Sequence, residues 1–368
     1  MTPRRVIVLL AVLALGAATA GRAQDSQFGI AGLGTPGRWE SVRARSTGGA
    51  LAFFDPLSPF ADAALADLGQ LTAAAQAAAS FLRPELAAGT LSLRTTRFPA
   101  FTLGGPVGHG IVVGGGFSSY LNRSWDVITH DTITLRGLPE AVTDERTSDG
   151  GVADVRLAAA MRVSPRLALG FGAHALTGST REHAYRFYAD SGLYRNTRQV
   201  GEVQYDSWGF SASALFDPLP GVRLAALYRT DSRLRAKVGG NETARADLPT
   251  TLAVGMRWAL RPTARLAASA TRQNWSVSGA NAYNTVNWSV GAELGGEAFP
   301  LRIGARGGKL PFGPGGQAPT EFGLALGTGK SFAEGRGRLD FGLEHLSRSG
   351  VGLKESAWTF LMGLIVRP

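Results

Sequence analysis

Residues 337–346 read Gly-Arg-Leu-Asp-Phe-Gly-Leu-Glu-His-Leu, which puts Leu339, Phe341 and Leu343 on one side of an extended chain and Arg338, Asp340 and Glu344 on the other. A strand turns successive side chains to opposite faces. Charges repeated along the second face would be costly in the dry core of a sandwich, so that face is expected to be wet. The same two-residue period returns in at least seven more segments between residue 150 and the C-terminus. An oily outside and a charged inside describe a membrane-spanning barrel, because in lipid only a closed ladder satisfies every backbone group of a strand.

The first residues fit that destination. Arg4 and Arg5 precede an apolar run from Val6 to Leu15, and small residues then lead through Ala20-Gly21-Arg22-Ala23 to Gln24. This is the pattern of a secretory signal peptide, expected over residues 1–23. The run is about half the roughly 20 residues that a spanning helix needs. No later stretch approaches 18 apolar residues, so a spanning chain must span as strands. Cysteine is absent, which excludes thiolate chemistry, disulfides and Cys-based metal sites. Glycine recurs inside strand-like segments (Gly114, Gly115, Gly116, Gly170, Gly172, Gly304, Gly323, Gly327), where it is expected to let a tightly curved sheet bend. Without Arg4, Arg5 and Arg22 the formal net charge falls from +10 to +7. The remaining arginines are spread singly along strands rather than clustered, which argues against nucleic acid as a partner.

Turn chemistry sets the count. Short turns fall at 104–109, 164–165, 217–221, 261–263, 297–300 and 334–337. Longer polar loops fall near 137–148, 190–198, 237–246, 277–283, 312–318 and 349–354, with a shorter one near 83–87. These connections join fourteen strands and leave both ends of the wall on the short-turn side, as in a bacterial outer-membrane barrel. The fold class expected is all-β, a transmembrane antiparallel barrel over residues 70–368. Its first strand is ambiguous, since the Ala-rich run Leu71–Phe81 suits a helix equally well. Facing follows from the period. Val155, Leu157, Met161 and Val163 face lipid and Asp154, Arg156 and Arg162 the lumen; Leu169 and Phe171 oppose Gly170 and His174; Leu301 and Ile303 oppose Arg302 and Arg306. Trp258, Trp275, Trp288 and Trp358 sit near strand ends, where an aromatic girdle is expected.

Residues 24–69 do not belong to this wall. They carry Gly-Leu-Gly-Thr-Pro-Gly at 32–37, Arg43-Ala44-Arg45-Ser46-Thr47-Gly48-Gly49-Ala50, and Phe53-Phe54-Asp55-Pro56. The first cluster lacks a clear preceding strand and a Lys-Ser/Thr pair, which argues against a phosphate loop. A stretch of this kind ahead of a barrel reads as a plug. The phrase at 43–50 with Asp55-Pro56 resembles the N-terminal hatch of the FadL-type long-chain fatty acid transporters. Leu248-Pro249-Thr250-Thr251-Leu252-Ala253-Val254-Gly255, running on to Asn274-Trp275-Ser276, is similar to a hairpin of that family, and Leu301-Arg302-Ile303-Gly304-Ala305 and Gly327-Thr328-Gly329 to its later strands. The resemblance implies a fourteen-stranded barrel with an N-terminal hatch, in the bacterial outer membrane, passively admitting hydrophobic molecules that leave sideways through a gap in the wall. The chain departs from the family in having Asp55-Pro56-Leu57 where the hatch usually has Asn-Pro-Ala, and in ending Val366-Arg367-Pro368 without a terminal aromatic residue.

A fatty acid or similar hydrocarbon cargo needs an apolar slot and, for a carboxylate, a cationic end. Phe53, Phe54, Phe60 and Phe81 are candidates for the slot, and Arg43, Arg45, Arg156, Arg162, Arg302 and Arg306 for the charge. The lumen arginines Arg156, Arg162, Arg302 and Arg306 have another use, which is to pair with Asp154, Glu293, Asp340 and Glu344 and fill the barrel. Other partners expected are outer-membrane lipid and no cofactor. Of the five histidines only His174 is placed to face the lumen, and no Ser-centred motif surrounds it or His345, so no catalytic site and no metal site are expected. A scaffold of the same fold serving an envelope secretion or attachment machine, and a general porin, are the alternatives to a transporter. The facing assignment is testable without reference to any family. A charge at the bilayer midplane on the lipid side costs roughly 2–4 kcal/mol. Phe341→Arg and Leu169→Arg are therefore expected to impair assembly, whereas Arg338→Leu and Gly170→Ser should still give a heat-modifiable band on gels. Equal tolerance on both faces would contradict the barrel.

Overall fold

The computed structural model describes residues 26–58, 62–86, 89–90, 93–190, 192–296, 298–313 and 316–368, so the expected signal peptide and Phe60 lie outside the described residues. Fourteen wall strands follow one another: β1 Thr72–Leu86; β2 in pieces Gly89–Thr90, Leu93–Arg97 and Ala100–Gly108; β3 in pieces Ile111–Asn122 and Trp125–Leu135; β4 Leu138–Ser164; β5 Leu167–Tyr188; β6 Thr197–Leu219; β7 Val222–Asp231 and Leu234–Val238; β8 Asn241–Ala246 and Thr251–Arg261; β9 Ala264–Gln273; β10 Thr285–Leu294; β11 Leu301–Lys309; β12 Thr320–Phe332; β13 Gly337–Gly350; and β14 Leu353–Val366. Each pairs antiparallel with the next, and β14 returns to β1 from Ala73↔Val366 to Glu85↔Lys354. The ring is closed. Among the described residues no helix is long and apolar enough to cross a membrane. The Ala-rich run in β1 is a strand because two flanking ladders supply its hydrogen bonds, which outweighs the helical preference of alanine.

Three segments read as loops are strands instead. Residues 138–148 pair with Trp125–Leu135 across a two-residue turn whose Arg136 and Gly137 both have positive φ (52° and 83°). Residues 237–246 turn at Gly239-Gly240, and 349–354 at Val351-Gly352. These hairpins mix polar and apolar residues along their faces, so their period leaves no clean oil-and-charge signal in the sequence. They make one side of the barrel tall, with β4 running for 27 residues against nine in β11.

Facing agrees with the alternation. Leu157 is 69% exposed and Leu301 57% on the outer surface, while their neighbours Arg156 and Arg302 are 4% and 0% exposed. Trp258, Trp288 and Trp358 are likewise on the outside. Trp275 is a correction: it lies at the start of a 3-10 turn, Trp275–Ser278, is 1% exposed, and packs edge-on against Phe312 at 5.4 Å between ring centroids. It lies two residues past the end of β9 at Gln273, so the strand period no longer governs where it points.

Residues 26–58 and 62–71 add no stave to the wall and pack against its inward faces. Ala44, Leu51, Phe53 and Phe54 form one core with Leu215, Leu227 and Ala253 of the wall. A four-residue helix, α1 (Val42–Arg45), is capped by Ser41, whose Oγ accepts from Ala44 N at 3.1 Å and donates to Asp55 at 2.5 Å. The Asp55 carboxylate also accepts from Leu57 N at 3.1 Å, so the acid at this position ties the segment to itself. Two of the wall glycines seat this segment and do more than ease curvature. A Cβ on Gly304 would lie 2.0 Å from the Thr47 carbonyl carbon, and one on Gly170 would lie 2.3 Å from Ala63 N. The expectation for Gly170→Ser changes accordingly. The wall should still close and remain heat-modifiable, but the turn Asp62–Asp67 should lose its seat and become open to limited proteolysis. Cleavage no faster than in the parent chain would contradict this seating.

Candidate functional site: a lumen cavity beside an interrupted wall

Closing the ring turns the charged face of each strand inward, and the lumen answers with ion pairs that join wall and inner segment. Arg302 donates from Nε to Glu293 at 2.8 Å and from Nη1 to Asp340 at 2.7 Å. Arg43 forks onto the same Glu293 at 2.6 and 2.8 Å. Burial works against the charge on Arg43, but the Glu293 contacts outweigh it and hold its pKa above the ordinary guanidinium value. Arg45 pairs with Glu344, Arg156 with Asp62 at 2.7 Å, and Arg162 with Asp67 at 2.5 Å. Arg306 pairs with Glu321, which Arg348 also reaches at 2.8 Å. Moving one of the buried arginines onto a cargo carboxylate would leave its own acid stranded, at about 3–5 kcal/mol. A hydrogen bond to a charged group returns only about 1.5–3 kcal/mol. Of the two uses expected for the lumen arginines, filling the barrel is therefore the one this geometry favours.

His174 takes part in a further buried chain. Its Nδ1 is 3.0 Å from both Asp154 oxygens and its Nε2 is 2.8 Å from Ser211 Oγ, the spacing of a Ser-His-Asp relay. Ser211 has one proton to give, and Asp62 takes it at 2.5 Å. Both Ser211 and His174 are buried, which leaves no room at the hydroxyl for a substrate. Asp154 goes on to Arg229 at 2.6 Å, Arg229 to Asp231 at 2.8 Å, and Asp231 accepts from Tyr120 at 3.2 Å. The chain ties the inner turn Asp62–Asp67 to β3. Among the described residues no three acids or histidines are grouped to hold a metal ion.

At Tyr120 the ladder between two consecutive wall strands, β2 and β3, stops early. β2 and β3 pair from Gly108↔Ile111 to Ala100↔Ser118, and the last contact is Ser119 N to Pro99 O at 3.0 Å. Pro99 has no N–H to continue the ladder. Opposite it, the β3–β4 register slips between Ser119 and Leu121, a bulge at Tyr120. The free edge of β3 is taken by the inner segment, with Thr35 opposite Asn122, Pro36 opposite Leu121, and Gly37 N donating to Tyr120 O at 2.8 Å. The approach demands glycine, since a Cβ on Gly37 would lie 2.2 Å from Ser119 O.

A cavity of about 160 Å³ opens behind that contact and crosses the lumen between inner segment and wall. Pro36, Trp39 and Phe53 line it from the inner segment, Ser118 and Tyr120 from β3, Leu227 from β7, Thr271 from β9, and Trp275 from the turn beyond. Arg38, Arg306 and Arg348 lie at its charged side. Of the residues singled out in the sequence, Phe53 and Arg306 reach this cavity. Phe54 is buried in the core beneath the Arg257 guanidinium, 5.7 Å from its ring centroid. Phe81 is a correction, for it is 41% exposed on the outer face and meets Phe360 edge-on; its odd position in β1 turns it outward. Arg43, Arg45, Arg156, Arg162 and Arg302 stand in the ion pairs described above. Trp39, Ser118, Thr271 and Trp275 went unnoticed as site residues, because an inward position says nothing of where the inner segment leaves space.

The fold and cavity define a closed fourteen-stranded barrel that holds its own N-terminal segment. No family model and no curated protein matches the sequence. Among solved structures, a Pseudomonas aeruginosa FadL homologue aligns with a TM-score of 0.64 at 13% identity, covering 92% of this chain and 100% of that one. The P. putida toluene transporter TodX gives 0.60 at 11% identity, covering 91% and 99%, and the CymD monoaromatic hydrocarbon channel 0.58 at 14%, covering 94% and 99%. The chain has the fold of these FadL-type barrels.

Proposed function

We propose that this chain is a passive bacterial outer-membrane channel for hydrophobic small molecules, with residues 26–71 as its hatch. The observation that carries this reading is the placement of the cavity. It lies between hatch and wall, and it ends at Tyr120 and Pro36, where β2 and β3 part and the hatch fills the gap. A hydrophobic cargo that reached the cavity would stand one hatch contact away from the bilayer. The named cargoes of the similar structures, toluene and monoaromatic hydrocarbons, are of that class. Long-chain fatty acids are the cargo that the sequence resemblance implies, and a chain of that length extends beyond the cavity unless the hatch moves. A porin is disfavoured because an ion-paired segment occupies the lumen.

Uptake by cells tests this directly. Cells that express the chain in place of other hydrophobe channels should take up labelled toluene or oleate faster than cells without it. Ala52→Phe, which projects a ring into the cavity, should bring uptake back to the level without the barrel while heat-modifiability is kept. Steady ion conductance of the purified barrel in planar bilayers, with uptake unaffected by Ala52→Phe, would favour the porin instead.

A further inference from the structure

We infer that the cavity selects a neutral, single-ring molecule bearing a hydroxyl group, in preference both to the bare hydrocarbon and to the matching carboxylate. The inference rests on the proposed function and narrows its cargo. Size comes first. At about 160 Å³ the cavity is close to the roughly 150 Å³ of an engineered apolar cavity that takes up benzene. Its apolar walls suit a ring: Trp39 and Phe53 are inclined at 51° with centroids 6.0 Å apart, and Leu227 and Trp275 stand beyond them.

The lining is not that of a hydrocarbon slot. Ser118 of β3 and Thr271 of β9 face the lumen from strands six apart in a ring of fourteen, so they approach the cavity from opposite sides of the barrel. Neither makes a side-chain hydrogen bond to another described residue, whereas Ser269 and Ser289, also in the lining, bond each other at 2.7 Å. A bare hydrocarbon would bury the free hydroxyls of Ser118 and Thr271 without partners, and that works against its binding. A phenolic or alcoholic hydroxyl both donates and accepts, so it can satisfy either.

Charge argues against an anion. Arg38 is held by Glu40 at 3.1 Å and Glu344 at 3.5 Å, Arg306 by Glu321, and Arg348 by Glu321 at 2.8 Å and Glu355 at 3.1 Å. Lys309 is the lining cation with no ion pair among the described residues, and it is exposed, where water already solvates it. A carboxylate would therefore lose its hydration without meeting a cation that is both buried and free.

The test uses three probes that share one ring: toluene, p-cresol and 4-methylbenzoate. Binding to the full barrel in lipid nanodiscs is followed by quenching of Trp39 and Trp275, with Trp39→Phe and Trp275→Phe variants identifying the signal. p-Cresol should bind about tenfold more tightly than either of the others, the effect of one hydroxyl hydrogen bond gained. The double variant Ser118→Ala/Thr271→Val should abolish the preference for p-cresol over toluene, weakening p-cresol and tightening toluene. Toluene binding as tightly as p-cresol to the parent barrel would overturn the inference while leaving the channel reading in place, as would 4-methylbenzoate binding tightest. No saturable binding by any of the three, with no uptake by cells, would overturn both.

Discussion

Every peptide group of a strand in lipid must find its partner on a neighbouring strand, and closing the ring to meet that demand creates an inside. Fourteen strands enclose more space than their own inward side chains fill, and the alternation that gives the wall its oily exterior fills the interior with charge. The inner segment answers both consequences. It supplies Ala44, Leu51, Phe53 and Phe54 as apolar filling, and Arg38, Arg43, Arg45 and Asp62 as partners for charges that would otherwise stand alone.

The way it is held bears on how it can move. Many of its anchors are side-chain ion pairs or close backbone contacts against inward glycines such as Gly304 and Gly170, and among the described residues it joins the wall by backbone hydrogen bonds at Thr35–Gly37. That join lies where Pro99 ends the β2–β3 ladder, so the inner segment supplies backbone bonds at a place where two wall strands do not. The buried chain from Asp62 through Ser211, His174, Asp154, Arg229 and Asp231 to Tyr120 links the opposite end of the segment to the same place. The cavity borders the place where these attachments meet, with Pro36, Gly37 and Tyr120 in its lining.

The wall was legible in the sequence and the cavity was not, for a physical reason. A period of two reports which residues face lipid, so Leu157 against Arg156 and Leu301 against Arg302 sorted correctly, and the count of fourteen strands followed from the turns. Where no lipid is present the period loses its chemical label, and residues 138–148 passed for a loop although they are strand. Inward facing alone does not say which inward residues meet an open space. That depends on the path of residues 26–71, which have no period to read. Phe53 and Arg306 came through because bulk and charge drew attention to them, whereas Ser118 and Thr271 are residue types that occur throughout the chain. Trp275 illustrates the limit of a strand rule two residues beyond the strand, and Phe81 shows a bulky ring assigned to the slot when its place in the register turned it outward.

The proposed channel requires that the inner segment, which pairs with the free edge of β3, leave that position for cargo to pass. The chain contains no cysteine, so a single engineered pair can test it. Thr35 and Asn122 are direct antiparallel partners, within the range that a disulfide spans. Thr35→Cys/Asn122→Cys is expected to form the bond in the oxidising envelope, to stop uptake of labelled toluene, and to regain it on reduction, with each single variant active throughout. Uptake that continues through the quantitatively oxidised double variant would contradict the claim, and so would failure of the pair to oxidise in a folded barrel.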